Sequence, residues 1–324
     1  MRAIICRSWG DPSSLRLEEI ESPIPSADQV LIRTSASCIN YADTIMIKGQ
    51  YQSKPSFPFA PGLETCGTVI SCGDSVTRFK PGDRVMAFLG HGGFAEEAIA
   101  SESNCFIVPQ DMPDDVAGSF LIGYVSSHVA IRWQAKLEPN ETILVLGASG
   151  GVGLTAVEIG KAMGAKVIAG ASSSEKLEIA RAHGADALID YKINSLKKSV
   201  AGLTDGIGVD VCYDPVGGDL FDEALSSLAW GGRILLIGFV GGIPKIPANR
   251  LLVKHRSAMG SSLRYFRQYR PDLLRSSVEE LINWWQLKKL KPLVTQTFTL
   301  ENVPAAMKEL LERRAVGRII IKTS

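Results

Sequence analysis

The sequence has no apolar run able to cross a bilayer. Its apolar stretches, Ile234–Ile237 among them, are a fraction of the roughly 20 residues a spanning helix needs. It also has no dominant charge: 35 Lys and Arg stand against 34 Asp and Glu. Without a global field of either sign, nucleic acid and acidic membrane are not the expected partners. Cysteine is sparse and scattered, at 6, 38, 66, 72, 105 and 212. No pair has C-x-x-C spacing, and none lies at metal-site distance from His91, His128, His183 or His255, which excludes a sequence-local zinc site. The N-terminal apolar run breaks at Arg7, and Lys322-Thr323-Ser324 is no retention or peroxisomal tag, so a soluble cytoplasmic protein with reduced thiols is expected. Internal repeats, low-complexity segments and long linkers are missing too.

What is present is ordinary globular composition, 45% hydrophobic and 21% charged with 31 glycines. At 324 residues the chain exceeds one usual hydrophobic core, so two domains are expected. The first 110 residues read as short strands at Ala3–Arg7, Leu15–Ile20, Gln29–Ser35, Thr65–Ser71, Arg84–Phe88 and Phe94–Ala100, separated by Gly, Pro and Asp turns. That pattern suggests a small barrel, interrupted by one helical piece at Tyr41–Ile47. A long apolar helix is predicted from about Ser119 to Leu137. Strands then alternate with helices: Ile143–Leu146, Lys166–Ala169, Ala187–Ile189, Val209–Tyr213 and Arg233–Ile237. Such alternation implies a parallel sheet covered by helices on both faces. After about 260 it stops; Leu274, Val278, Leu281 and Trp285 mark an amphipathic helix, and a second short helix near Val303–Leu311 leads to a last strand, Arg318–Lys322.

The strongest local signal runs from Thr142 to Gly153: a buried strand, then Gly147-Ala-Ser-Gly-Gly-Val-Gly153, then helix-compatible sequence to Met163. Dinucleotide binding needs that order. Glycines admit a pyrophosphate close to the backbone, and the helix N-terminus presents free N–H groups to it. The fingerprint is altered, with Ala148 in its first glycine place and Gly150 and Gly153 in the others. At the end of the second strand an NAD site usually carries an acid for the ribose hydroxyl. This chain has Ala171, then Ser172, Ser173 and Ser174, with Lys176 in the next turn. Hydroxyls and an ammonium suit a 2′-phosphate that a carboxylate would repel, which points to NADPH.

These segments, with Gly67-Thr-Val and Gly82-Asp-Arg-Val85 in the first part and Asp214-Pro-Val-Gly-Gly218 and Trp230–Gly238 in the second, resemble the medium-chain dehydrogenase/reductase superfamily. Within it the chain is most similar to the zinc-free NADPH:quinone oxidoreductases, over essentially its full length. The resemblance implies an α/β fold: a GroES-like β-barrel catalytic domain from residues 1–122 and 261–324, with a Rossmann doubly wound parallel sheet inserted at 123–260. Zinc-dependent relatives have Cys-His-x-Asp and Gly-His-Glu where this chain has Asn40-Tyr41-Ala42-Asp43 and Gly62-Leu63-Glu64. Both familiar ligands are gone, and no metal is expected. Without a Lewis acid to stabilise an alkoxide, hydride delivery to an electron-poor acceptor is the easier chemistry.

The same resemblance implies the site. Tyr51, Asn40 and Asp43 are the candidate catalytic residues, and Tyr41 and Thr44 approach the nicotinamide. Tyr51 is either a proton donor or a barrel-lip aromatic packed on Pro55 and Phe57; Asp43 either serves the site or orients its neighbours, and Asn40 either serves it or caps the following helix. The expected cofactor-binding set is completed by His128, Ser149, Gly150, Gly151, Val152, Ser172, Ser173, Lys176, Tyr191, Gly238, Phe239 and Arg314, with Arg318 able to share the phosphate. Val125 stands where relatives often carry a nicotinamide-contacting Thr, leaving open whether Ser126, Ser127 or His128 compensates. The segment Arg264-Tyr-Phe-Arg-Gln-Tyr-Arg270 reads as a solvated face or a site for an anionic substrate tail. The leading expectation is hydride transfer from NADPH to a small-molecule quinone in the interdomain cleft of a homodimer. The alternatives are reduction of a conjugated carbonyl, an alkenal or 2-enoyl thioester, for which Gly49-Gln50-Tyr51 matches the Gly-x-Tyr of enoyl reductases, and a non-catalytic NADPH-binding regulator.

Overall fold

The computed structural model describes residues 1–312 and 314–323. Two compact units emerge, Met1–Ile122 with Pro292–Ser324, and Gly123–Lys291.

In the first unit, strands β1 (Arg2–Ile5) and β2 (Arg16–Glu19) form an antiparallel pair. A larger sheet holds β3 (Gln29–Cys38), β4 (Glu64–Cys72), β5 (Arg84–Phe88), β6 (Glu97–Ser101) and β7 (Cys105–Ile107). Two C-terminal strands, Val294–Thr299 and Arg318–Lys322, extend it in the order Val294–Thr299, Arg318–Lys322, β3, β4, β5, β7, while β6 also pairs with β3. Turn-rich sequence between β-branched runs produces these short strands, and irregularities in the β3–β4 register bend the sheet. Inward residues of β3, β5 and β6, including Ile32, Val85 and Ala98, build one core. A second core joins Met46 and Ile47 of the Tyr41–Ile47 helix to Ile319 and Ile321. The C-terminal strand thus reaches the residue before Asn40, where the Ile39 N–H donates to the Ile319 carbonyl oxygen at 3.0 Å.

The second unit is a six-stranded parallel sheet in the order β10 (Ala187–Asp190), β9 (Lys166–Ala171), β8 (Thr142–Leu146), β11 (Val209–Asp214), β12 (Leu228–Leu236), β13 (Ser257–Gly260). The strands after β8 run outward to one side and those from β11 to the other. That reversal beside β8 is the switch point at which open α/β sheets bind ligands, at the strands' carboxyl ends. Leu144, Leu146, Ile168, Cys212 and Ile234 pack with Phe221 and Leu225 from a covering helix.

Three strands were not anticipated from the sequence: β7, β13 and Val294–Thr299. The long apolar helix is interrupted. Leu121–Val125 and Val129–Gln134 take the wider π geometry around Ser126–His128, and Ala135 donates to the carbonyl five residues back, on Ala130, at 2.8 Å. The domain reading also differs: residues 261–291, expected with the barrel, lie in the second unit. The Pro271–Gln286 helix does bury Leu274, Val278, Leu281 and Trp285. Its neighbouring residues Ser277 and Glu280, however, bond Trp133 and His128 of the second unit at 2.9 and 3.0 Å. An amphipathic face announces burial without saying against what.

Candidate functional site

In the first unit the chain turns from β3 into the Tyr41–Ile47 helix at Asn40, its N-cap residue. The Asp43 carboxylate accepts the Asn40 backbone N–H at 2.8 Å. The Asn40 side-chain nitrogen donates to Glu64 Oε1 at 2.9 Å and to the Cys38 carbonyl oxygen at 3.3 Å. Glu64, at the start of β4, is 1% exposed, and its Oε2 accepts the Ile122 N–H at 2.8 Å. Burial pushes the Glu64 carboxyl up to about 7, against the opposing pull of Arg318 and of these donors. Burial likewise raises Asp43 to about 8; the Asn40 amide opposes this and the nearby Glu64 charge reinforces it. The Cys38 thiol is driven far upward by burial and by Glu64. Asn40 and Asp43 thus come together, with Asp43 fully buried and orienting its neighbour. Glu64 was not singled out from the sequence. Arg318, expected as a phosphate partner, is instead 5% exposed in this buried cluster. Both are distant in sequence from Asn40, so no local pattern marks them.

Tyr51 is half-buried against the core that contains Met46 and Phe59. Its loop is shaped by Gly49, which has φ +69° and whose missing Cβ would lie 2.8 Å from the Trp9 ring. Trp9 meets Phe57 edge-on at 4.4 Å. Tyr41 is exposed, whereas Thr44 is buried with its hydroxyl bonded to the Tyr41 carbonyl oxygen at 2.7 Å.

In the second unit β8 leads into Gly147, which takes φ +57°, and Gly150 caps the Gly151–Ala162 helix. A Cβ on Gly153 would lie 2.1 Å from the Gly147 carbonyl oxygen. The last glycine is therefore demanded by close strand–helix packing. Ala148 needs no such freedom, because the left-handed turn falls one residue earlier. Ser149, Gly150, Gly151 and Val152 surround the helix start, where the first N–H groups lack intrahelical acceptors. At the end of β9, Ser173 caps the Ser174–Ala182 helix by accepting the Lys176 N–H at 3.4 Å. Tyr191 joins this corner through its N–H to the Ala171 carbonyl at 3.1 Å. Ser172, Ser173, Lys176 and Tyr191 are thus gathered around one strand end. Asp214 organises the loop after β11: its Oδ1 accepts the Val216 and Gly217 N–H groups at 2.8 and 2.9 Å, and burial raises its carboxyl. Phe239, after β12 and Gly238, is exposed and faces Gly217, whose missing Cβ would lie 3.3 Å from its ring.

Other expected residues are engaged elsewhere. His128 is fully buried, 3.0 Å from Glu280 and edge-on to Trp284. It belongs to packing against the Pro271–Gln286 helix. Ser127 is within 2.8 Å of both the Thr155 and Tyr213 hydroxyls, so its own hydroxyl is held in the interior. Arg314 pairs with Glu309 and Glu312. In the Arg264–Arg270 segment Tyr265 and Tyr269 stack at 6.4 Å beside an open groove of about 290 Å³. Among the described residues no group of three or more His, Cys, Asp or Glu side chains could hold a metal, and no helix is long and apolar enough to cross a membrane.

A GroES-like sheet and a Rossmann sheet with this glycine turn define a medium-chain dehydrogenase/reductase. Residues 26–110 match the alcohol dehydrogenase GroES-like domain family, and residues 151–279 match the family described as zinc-binding dehydrogenase. The chain is 37% identical to quinone oxidoreductase-like protein 2 homolog of Nematostella vectensis, covering 99% of this chain and 89% of that one. Human quinone oxidoreductase is 31% identical, covering 99% and 97%. Among solved structures, Escherichia coli quinone oxidoreductase complexed with NADPH aligns over 100% of both chains with TM-score 0.94 and 26% identity. Quinone oxidoreductase of Pseudomonas syringae aligns over 99% of both with TM-score 0.93 and 31% identity. The chain belongs to the quinone oxidoreductase family of that superfamily.

Proposed function

We propose that this protein is an NADPH-dependent oxidoreductase that reduces a quinone by hydride transfer without zinc. One observation carries the reading: the corner at the end of β9 offers Ser172, Ser173, Lys176 and Tyr191 beside the glycine turn, with the buried Ala171 where an acid would select NADH. Bound there, NADPH supplies the hydride. Ser149 to Val152 would receive its pyrophosphate at the helix start, and Gly238 and Phe239 would lie toward its nicotinamide half. Tyr51 would donate a hydrogen bond or proton to the reduced acceptor. A zinc ion does not fit the first unit's residues, since Leu63 has no donor atom and the Asn40 nitrogen faces Glu64. A homodimer is supported by β13, which among the described residues pairs only with β12 and lies near the exposed Leu252 and Val253 in the chain. A reducing cytoplasmic setting accords with six free cysteines.

Gly49 and its left-handed turn, which shape the Tyr51 loop, favour reduction of an alkenal or 2-enoyl thioester as the second reading. The test is NADPH oxidation with quinones, alkenals and enoyl-CoA esters assayed side by side. Quinones are expected to give the highest kcat/KM. Faster turnover of an enoyl ester would replace the first reading with the second, and no turnover of any would favour a regulator.

A further inference from the structure

A cation drawn partly out of water and given only neutral partners still lacks a counter-charge, and its open side suits an anion. Arg256, just before β13, is such a group. Its Nε donates to the Ala229 carbonyl oxygen at 3.4 Å, and its Nη2 donates to the carbonyl oxygens of Ser226, at 3.2 Å, and Leu228. All three acceptors are backbone, where the helix Leu220–Ser226 passes into β12. Among the described residues no carboxylate pairs with this guanidinium and its Nη1 has no partner, and burial pulls its pKa below that of an ordinary arginine.

Arg256 lines an open groove of about 300 Å³ with Lys197, Asn249, Arg250, Val253 and Lys254. Lys197 comes from the helix Leu196–Leu203, while Asn249, Arg250 and Val253 belong to Ala248–Val253. No acidic side chain among the described residues lines it. The acids nearby are engaged otherwise. Glu223 accepts the Ser195 hydroxyl at 2.7 Å and the Lys197 N–H at 3.1 Å. Asp222 lies 3.3 Å from Arg250, but both are well exposed, and such a pair contributes little. Lys254 and Arg256 keep uncompensated charge. Because β12 and β13 are parallel and both begin here, the groove lies at the amino ends of the strands. The glycine turn is at the carboxyl ends of the same sheet.

We propose that this groove is a second anion site, separate from the cofactor corner, which takes a small soluble molecule carrying a phosphate group. A guanidinium held in a fixed plane presents its free N–H groups to phosphate oxygens, and the ammonium groups add point charges. Four cations against one loosely paired carboxylate exceed what a monocarboxylate balances, whereas a phosphate ester carries close to two negative charges at neutral pH. The volume is at the small end for ligand pockets, and the chain carries a net charge of only +1, so a compact phosphate fits better than a nucleic-acid strand. The site needs neither acceptor chemistry nor NADPH.

The experiment titrates inorganic pyrophosphate into the full chain by calorimetry, with and without NADPH, at low ionic strength where exposed charges are least screened. One site per chain should remain when NADPH is present. Lys254→Glu changes an exposed, unpaired residue, so it should fold normally and raise Kd for pyrophosphate at least tenfold. Arg256→Gln should raise it about tenfold, the loss of one charge-assisted hydrogen bond. Neither should alter NADPH affinity, read by fluorescence. Melting and sedimentation control for fold and assembly; if Arg256→Gln melts early, Lys254→Glu alone decides. Cosedimentation with phosphatidic acid vesicles tests a lipid headgroup as the source of phosphate, and little binding is expected. Four results would overturn the proposal: no pyrophosphate binding at millimolar concentration, binding abolished by NADPH, a wild-type Kd in Lys254→Glu, or vesicle binding without pyrophosphate binding.

Discussion

The two units build their candidate site residues from different material. In the second unit the candidate cofactor site is mostly backbone: a left-handed glycine, a helix start and a serine cap, all within a few residues of a strand end. In the first it is a buried side-chain network in which Asn40, Glu64 and Arg318 come from a β3–helix turn, β4 and the C-terminal strand. Backbone sites tolerate little added volume but keep no titrating group at their centre. Side-chain networks bury charge at a cost and gain fixed orientation in return.

The largest expected effect falls on Tyr51, the candidate proton donor. If it gives a proton to carbon, Tyr51→Phe should slow alkene reduction roughly 10²–10⁴-fold, while quinone reduction, ending on oxygens that water can protonate, should lose far less. Rates on both substrate classes check this, and equal, negligible losses would remove Tyr51 from the mechanism.

Gly153→Val tests the backbone half. Its side chain would be driven into the Gly147 carbonyl oxygen, against which even a Cβ has no room. Overpacking of this kind costs about 1–3 kcal/mol, so NADPH should bind roughly ten- to a hundredfold more weakly. Fluorescence titration of wild type and Gly153→Val decides it; unchanged affinity would mean that the turn has room to yield.

These contrasts explain what was legible in the sequence. Gly147 to Gly153 could be read because strand, turn and helix are contiguous, and Gly147 and Gly153 each answer a local demand. Ser173 and Lys176 were legible for the same reason. Glu64 and Arg318 were not, because a carboxylate and a guanidinium 254 positions apart signal nothing until the sheet sets their strands around β3. His128 shows the converse failure: its place near Val125, where relatives often carry a nicotinamide-contacting Thr, suggested a ligand contact, and the fold gave it Glu280 and Trp284. The 261–291 segment went astray likewise, since its apolar stripe was clear and its destination was not.

A smaller effect separates the halves by pH. Asp43 and Glu64 hold their protons more tightly folded than unfolded, with folded values of about 8 and about 7. Their contribution to stability is therefore full below the unfolded value of ~4 and is lost as pH rises through the folded values. Glu64→Gln should flatten the fall in Tm between about pH 5 and 7, by a few degrees. Melting curves across that range check it; an unchanged slope would mean that Glu64 stays ionised throughout.

The most direct test of the whole account is the ratio of kcat/KM for NADPH and NADH, measured with one quinone in wild type and in Lys176→Ala. A charge-assisted hydrogen bond to the 2′-phosphate contributes about 1.5–3 kcal/mol. Wild type should therefore prefer NADPH, and Lys176→Ala should lower kcat/KM for NADPH roughly ten- to a hundredfold while leaving NADH nearly unchanged. A wild type that prefers NADH, or a variant that loses both cofactors equally, would contradict the account.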